Sequence, residues 1–266
     1  MKLQLLPTST GVTWVKLGIR TFFKQPLALG GLFFMFMAVI SIVTIIPVVG
    51  SIVALALLPA ATLGLMVATL QASSGKFPMP AVLATAFRAG QARMRAMLIL
   101  GFMYAACFLL IMGISALIDG GEFAKMYLLG GKLSKEVIEQ SDFQTAAWVG
   151  MGLYLPMSLL FWHAPALVHW HGLSPSKAMF FSLVACLRNF GAYFAFGLAW
   201  FAVFAMGGVI TISVLGILGL GAAAQVVMVP MALTMAAMFF SSIYFTFRDS
   251  FVHEAPTDTP PAVHPN

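Results

Sequence analysis

Long apolar segments separated by short polar ones dominate this chain. Six of them are about twenty residues long, the length that an α-helix needs to cross the hydrocarbon core of a bilayer. They are residues 27–46, 51–70, 96–118 and 146–168, and two more within the uncharged stretch 190–247, divided by a glycine-rich turn near residues 215–221. The pattern predicts an all-α fold, a polytopic bundle of six transmembrane helices that forms a single membrane domain over residues 1–247.

Three shorter segments combine basic and apolar residues at helical spacing. They are residues 12–24, 81–95 and 174–188, and each precedes a pair of spans. A helix with one basic and one apolar face lies in the membrane interface. We therefore expect three cytoplasmic interfacial amphipathic helices. Their candidate contacts with lipid or its head groups are Lys16, Arg20, Lys24, Arg88, Arg95, Lys177 and Arg188.

The segment 174–188 gives the firmest of these expectations. Gly172 breaks the preceding span, Ser174 is placed to cap a new helix, and Pro175 suits its first turn. Burying Lys177 and Arg188 in hydrocarbon would cost about 2.5–3.5 kcal/mol each at the membrane centre, and fifteen residues are too few to cross it. We expect an interfacial helix whose side chains facing lipid or the bundle are Phe180, Phe181, Val184 and Leu187.

The same order of elements, a surface helix followed by two spans, occurs three times. The units are about 12–70, 81–172 and 174–247. Each surface helix carries an arginine near its end, and each second span carries a proline, in turn Pro59, Pro165 and Pro230. These matches predict a threefold internal repeat about an axis along the membrane normal. The alternative is that six spans with short loops show such regularity by chance.

Two polar segments complete the chain. Residues 119–145 form the one long polar connection, in which Ser134 could cap a short helix bearing Leu133, Val137 and Ile138 on its apolar side. We expect a small, partly helical flap there. Residues 248–266 are polar and proline-rich, and they predict a disordered cytoplasmic tail.

Composition and charge indicate a membrane protein and the side of the membrane on which its termini lie. With 61% hydrophobic and 8% charged residues, the chain lies far from soluble domains, which average about 25% charged. Eleven of its 14 Lys and Arg residues fall on the side of the two termini and the three surface helices. The positive-inside rule then places both termini in the cytoplasm. The excess of positive charge favours anionic head groups of the lipid bilayer as partners and does not indicate nucleic acid.

The most conspicuous chemical cluster contains His163, His169 and His171. On a helix, positions 163 and 169 point about 120° apart, and no Cys, Asp or Glu lies nearby in sequence, which disfavours metal or haem ligation. The favoured interpretation is an interfacial aromatic belt in which His163 hydrogen-bonds to a neighbouring helix. The chain has no nucleophile elbow, phosphate loop or metal signature. We predict no catalytic, cofactor-binding or metal-binding residues, no cofactor and no enzyme activity.

Several stretches resemble a known family. They are residues 11–23, 58–64, 161–171 and 186–189, and they are similar to bacterial, chiefly proteobacterial, multi-span inner-membrane proteins. The resemblance covers most of the chain and implies no activity, because the family has none assigned. The order of surface helices and double spans also resembles, more loosely, the membrane domain of some glycerophosphodiester phosphodiesterases. Their catalytic barrel has no counterpart in this sequence, so the enzyme activity does not carry over.

Two functions remain open at this point. The leading hypothesis is a non-enzymatic inner-membrane protein that organises lipid or a membrane protein partner through its basic cytoplasmic helices. The alternative is a transporter or channel for an apolar or zwitterionic solute. In that case, the candidate hinge or cavity residues are Pro59, His163, Pro165 and Pro230. The spans contain no Asp, Glu, Lys or Arg, which disfavours coupling to protons or sodium.

Overall fold

The computed structural model describes residues 2–130, 134–221 and 224–252 of the chain. Within these ranges, six helices are long and apolar enough to cross a membrane. This confirms the all-α, six-span architecture. The spans are Pro26–Val43, Val49–Ser73, Gln91–Asp119, Ser141–His171, Phe190–Ile217 and Val226–Ser250.

The helices follow one another with short connections. In chain order, they are α1 (Thr10–Lys24), α2 (Pro26–Val43), α3 (Val49–Ser73), a 3-10 helix (Pro80–Ala84), α4 (Thr85–Arg88), α5 (Gln91–Asp119), α6 (Glu122–Leu129), α7 (Lys135–Ile138), α8 (Ser141–Phe161), α9 (Ala164–His171), α10 (Pro175–Arg188), α11 (Phe190–Ile217) and α12 (Ala224–Ser250). Two short strands, β1 (Lys2–Leu3) and β2 (Phe251–Val252), pair antiparallel and bring the two ends of the described chain together.

The bundle is built around α3 and α5. Helix α5 packs between α3 and α8, while α3 also contacts α2, α9 and α12. Helix α1 packs against α12 and α11, and α10 packs on α8 and α9. Trp14, Leu63, Met66 and Leu100 lie fully buried in the main core cluster. The core therefore contains the first surface helix as well as the spans.

The approach of α1 to the bundle depends on glycine. A Cβ atom on Gly18 would lie 2.5 Å from the Cβ of Ser242 in α12, and one on Gly11 would overlap the carbonyl oxygen of Ala192 in α11. Small residues allow helix backbones to pack this closely. The buried face of α1 thus centres on Trp14 and Gly18. Val12 and Phe23 of the same helix lie outside this face and are 39% and 62% exposed.

The prediction of one surface helix over residues 81–95 is wrong. A 3-10 helix and the single turn α4 cover residues 80–88, and the chain then breaks at Gly90, whose φ is +93°. Glycine adopts this backbone conformation without steric penalty, and it ends the helix. Arg95 consequently belongs to the first turns of the third span, which begins at Gln91 and not at residue 96.

The fourth span is also interrupted, where a continuous helix over 146–168 is predicted. Helix α8 ends at Phe161 and α9 begins at Ala164. Pro165 has no N–H, and its ring would collide with the carbonyl group of Phe161 in a continuous helix. The hydroxyl of Ser182 in α10 enters the break, accepting from His163 N (2.9 Å) and donating to Leu159 O (2.7 Å). These are the two groups that a helical hydrogen bond would have joined.

The helix predicted at residues 174–188 is confirmed in its bounds. Gly172 has a left-handed φ of +64°, and α10 runs from Pro175 to Arg188. Ser174 occupies the N-cap position, where its carbonyl oxygen accepts from Ala178 N (2.9 Å). Its side chain makes no capping hydrogen bond, contrary to expectation. Phe180, Phe181 and Leu187 are exposed on the surface of the bundle.

The polar connection contains a helix that the sequence pattern did not predict. Asp119 accepts from Gly121 N (2.8 Å) and Phe123 N (2.7 Å), so its carboxylate starts α6. Ser134 precedes the short α7 as predicted, again without a side-chain cap, while Leu133 lies outside the described residues.

The chain continues in order beyond the predicted start of the tail. Helix α12 extends to Ser250, and Phe251 is buried where β2 pairs with β1. Regular secondary structure therefore extends at least five residues beyond Phe247, because the burial of Phe251 and the pairing of β2 with β1 fix the backbone there. The remainder of the predicted tail, residues 253–266, lies outside the described residues.

Candidate functional site

Basic side chains gather at one end of the bundle. We call the end that contains α1, residues 76–95 and α10 the basic end, and the end that contains α6 and α7 the opposite end. Successive spans run in opposite directions, so these three segments share one end. All seven predicted lipid-contacting residues lie there and are exposed: Lys16, Arg20, Lys24, Arg88, Arg95, Lys177 and Arg188.

These cations have few acidic neighbours. Among the residues that the structure describes, ion pairs join only Lys125 to Glu122 and Arg248 to Asp249, both at 2.7 Å. The first pair lies at the opposite end, and the second uses the carboxylate of Asp249, which also accepts from Trp14 Nε1 (2.9 Å). The basic end therefore presents an excess of positive charge toward its surroundings.

A buried polar network supports the basic end from within. His163 is fully buried, and its Nε2 hydrogen-bonds the hydroxyl of Tyr193 in α11, as the prediction of a bond to a neighbouring helix requires. The Tyr193 hydroxyl lies 3.3 Å from Ser250 Oγ at the end of α12. Among the described residues, no group of three His, Cys, Asp or Glu side chains is placed to hold a metal ion. The contacts of His163 are those of a residue that ties α9, α10 and α11 together.

Asn189 fastens the N-terminal segment to the same end. Its Nδ2 donates to Gln4 O (2.9 Å) and its Oδ1 accepts from Leu6 N (2.8 Å). Gln4 N in turn donates to Ser250 O (3.0 Å). Neither Asn189 nor Tyr193 was singled out from the sequence, because their partners lie in distant parts of the chain. A polar residue beginning an otherwise uncharged span is the signal that could have drawn attention to Asn189.

A crevice of about 570 Å³ opens at the basic end beside α4. Residues from the end of α3, the following loop and α4 line it together with His169 of α9. Of the predicted contacts, only Arg88 lines this crevice. Lys76 and His169 also line it, although neither is among the contacts predicted from the sequence.

A larger, mostly apolar cavity of about 860 Å³ lies toward the opposite end, between α2, α3, α5, α6 and α8. Tyr104 and Tyr154 line it with their hydroxyl oxygens 3.5 Å apart. Helix α6 is fixed beside it because Ser51 Oγ donates to Leu128 O (2.7 Å). This cavity could hold an alkyl chain.

The four candidate hinge or cavity residues differ in their burial. Pro59 is buried within α3, and Pro165 is buried in the first turn of α9, whereas Pro230 is exposed on α12. His163 and the three prolines are absent from the linings of both spaces described above. Pro165 does mark an interruption of its span, but the bonds of Ser182 and His163 hold that interruption in place.

Comparison with known proteins gives one informative match. A probable inner membrane protein of Burkholderia thailandensis is 36% identical to this chain over 260 residues, which cover 96% of each protein. No protein-family model matches the chain. No solved structure matches it either.

Proposed function

The chain belongs to a family of bacterial inner membrane proteins, and from this premise we propose that its basic end binds anionic head groups of the cytoplasmic leaflet. In this proposal, the protein is not an enzyme. It organises lipid, or a membrane protein partner, through cations presented by α1, residues 80–95 and α10. The three segments act as interfacial elements at the starts of three repeated units, as the sequence pattern predicts.

The observation that carries the proposal is the exposure of seven cations with no acidic partner in the described residues. A basic residue near an anionic membrane surface contributes about 1 kcal/mol of attraction. Seven such residues on one end outweigh the three lysines of residues 119–145, which are interspersed with five acids. The same asymmetry supports a cytoplasmic position for this end.

Boundary-lipid selectivity of the full chain tests this proposal. We expect spin-labelled phosphatidylglycerol to associate with the reconstituted protein more strongly than phosphatidylcholine, and the preference to weaken at high salt. Replacing three of the seven cations, as Lys16→Gln, Arg20→Gln and Lys24→Gln together in α1, should reduce the free energy of this preference by roughly half. The control, Lys125→Gln with Lys135→Gln at the opposite end, should leave it unchanged. Equal association of both lipids, regardless of salt, would contradict the proposal.

The apolar cavity favours a second candidate function, the binding and transfer of an apolar or zwitterionic solute. Its volume of about 860 Å³ falls in the range of about 300–1,000 Å³ that is usual for ligand sites. Its lining includes Phe108, Ile111 and Leu155, and Tyr104 with Tyr154 offers a polar contact within it. A solute with one alkyl chain and a small polar group matches this lining.

Gly152 allows this second function to be tested separately. It lines the cavity, and a Cβ atom there would meet no other atom within 4 Å, so Gly152→Leu should fill the space without disturbing the fold. The control is Gly197→Leu, at a glycine equally free of neighbours but outside the cavity lining. We expect Gly152→Leu alone to abolish transfer of a fluorescent lysophosphatidylcholine across proteoliposomes. Unchanged transfer by this variant, or none by the native chain, would rule out the second function.

A further inference from the structure

The crevice beside α4 has the composition of a site for a single anionic lipid. Lys76 and Arg88 bring two cations from separate elements to one space, with Gln71, Thr85 and His169 as polar neighbours. The lining includes no acidic residue. The crevice therefore attracts an anion.

The rim of the crevice is apolar and exposed. Phe77 and Met79 are 63% and 62% exposed, and both line the crevice next to the cations. The loop that carries them is fixed, because Lys76 N donates to Gln71 O (2.9 Å) and Pro78 is fully buried. Exposed apolar side chains at the end of a membrane bundle are favourable in the interface, where they contact acyl chains. The cations inside the crevice suit the phosphate of a phospholipid, and the apolar side chains at its rim suit the acyl chains.

We propose that this crevice binds the head-group phosphate of one anionic phospholipid, with Lys76 and Arg88 contacting the phosphate and Phe77 and Met79 packing against the upper acyl chain. Basic pockets on the cytoplasmic side of membrane bundles bind anionic head groups in this way. The inference rests on the proposed function. Beyond the general attraction of the basic end for anionic lipid, it assigns one lipid molecule to a specific site. A free phosphate ion would leave Phe77 and Met79 without a role, so the site takes the lipid.

Native mass spectrometry of the full chain in detergent tests the site. Dioleoylphosphatidylglycerol is added as the probe, and the dissociation constant of the first bound lipid is compared with that of dioleoylphosphatidylcholine. Each lost cation should weaken anionic binding about fivefold, so Lys76→Gln with Arg88→Gln should weaken the first binding step by about 25-fold. The charge-conserving pair Lys76→Arg with Arg88→Lys should stay within about threefold of the native chain, because the positive charge remains.

A second pair of charge-removing substitutions distinguishes binding in the crevice from the general attraction of the basic end for anionic lipid. Lys16→Gln with Arg20→Gln removes two cations from α1, outside the crevice. It should lower boundary-lipid selectivity in bilayers while leaving the first bound lipid in detergent unaffected. Equal weakening by both pairs would overturn the crevice and leave the proposed function standing. No selectivity for phosphatidylglycerol in either experiment would overturn both, and displacement of the lipid by millimolar inorganic phosphate would overturn the lipid assignment.

Discussion

At the basic end of the bundle, residues 241–247 of α12 are all buried, whereas Val226, Val229 and Pro230 near the start of the same helix are exposed. The neighbouring α11 shows the same gradient, with Ala192, Phe196 and Trp200 buried and Val209, Ile210 and Ile212 exposed. Helices α11 and α12 are thus packed closely against the rest of the bundle at the basic end and less closely toward the opposite end. The apolar cavity lies toward the opposite end but between other helices, α2, α3, α5, α6 and α8.

Side-chain hydrogen bonds explain part of this difference. At the basic end, Trp14 bonds Asp249, Trp162 bonds Thr246 and Trp200 bonds Ser242, and each of these bonds joins two helices. At the opposite end, Ser51 joins α3 to α6 through Leu128 O, but the hydroxyls of Ser41, Thr44 and Thr145 bond to carbonyl groups of their own helices. Bonds of the first kind fix the relative positions of helices in a membrane, where apolar contacts alone discriminate poorly. The basic side chains therefore lie at the end of the bundle where hydrogen bonds from three tryptophans to α12 fix the helices relative to one another.

The largest expected effect compares two tryptophans. Trp14 is fully buried at the basic end, and Trp148 is 72% exposed beside the cavity. Trp14→Ala should lower the free energy of unfolding by about 3–5 kcal/mol, because it leaves a large void and removes the partner of Asp249. Trp148→Ala should change it by less than about 0.5 kcal/mol, as is usual for exposed positions. Denaturant unfolding in micelles measures both, and similar losses for the two variants would refute the packing difference.

A smaller effect on stability is expected when a closely packed glycine is replaced by leucine. Gly18→Leu would force α1 away from the backbone of Ser242 and should destabilise the protein by about 3 kcal/mol. Gly113→Leu, on α5 where an added Cβ atom would meet nothing within 4 Å, should be neutral or slightly stabilising, because leucine favours helix. Thermal unfolding midpoints in detergent give the comparison. A tolerated Gly18→Leu would show that α1 does not pack on α12.

The smallest expected effect concerns the interruption of the fourth span. Ser182→Ala would leave His163 N and Leu159 O without the hydroxyl that bridges them, which should cost about 2 kcal/mol. Ser158→Ala is a matched control in α8, since that hydroxyl donates only to Leu155 O of its own helix. Unfolding free energies should separate the two variants. If both have the native value, the bridge does not stabilise the break.

The number of spans could be predicted because the length of an apolar run is a local property. The helix start at Pro175 and the break at Gly172 could be predicted for the same reason. The end of the surface helix at Gly90 was not, because one glycine within a periodic pattern is compatible with a continuous helix. Only its positive φ distinguishes the two outcomes.

The candidate site was only partly predictable. The seven cations follow from periodicity and charge, but the crevice joins residues 71–89 to His169, about 80 positions further along. The bonds of Ser182 to Leu159 and His163 likewise span about 20 positions. Contacts of this kind depend on how helices pack, which neither propensity nor hydrophobic period specifies.

The most direct test of the account is the membrane side of its basic end. A membrane-impermeant maleimide is applied to two variants that each add one cysteine to the two native ones, Ser176→Cys at the start of α10 and Glu139→Cys next to α7, both at exposed positions. The native thiols should contribute little, since Cys107 lies within a span and burial raises the pKa of the Cys186 thiol to about 12. We predict labelling of Glu139→Cys in intact cells and of Ser176→Cys only after the inner membrane is opened. Labelling of Ser176→Cys in intact cells would place the basic end outside and contradict the proposed binding of cytoplasmic anionic lipid.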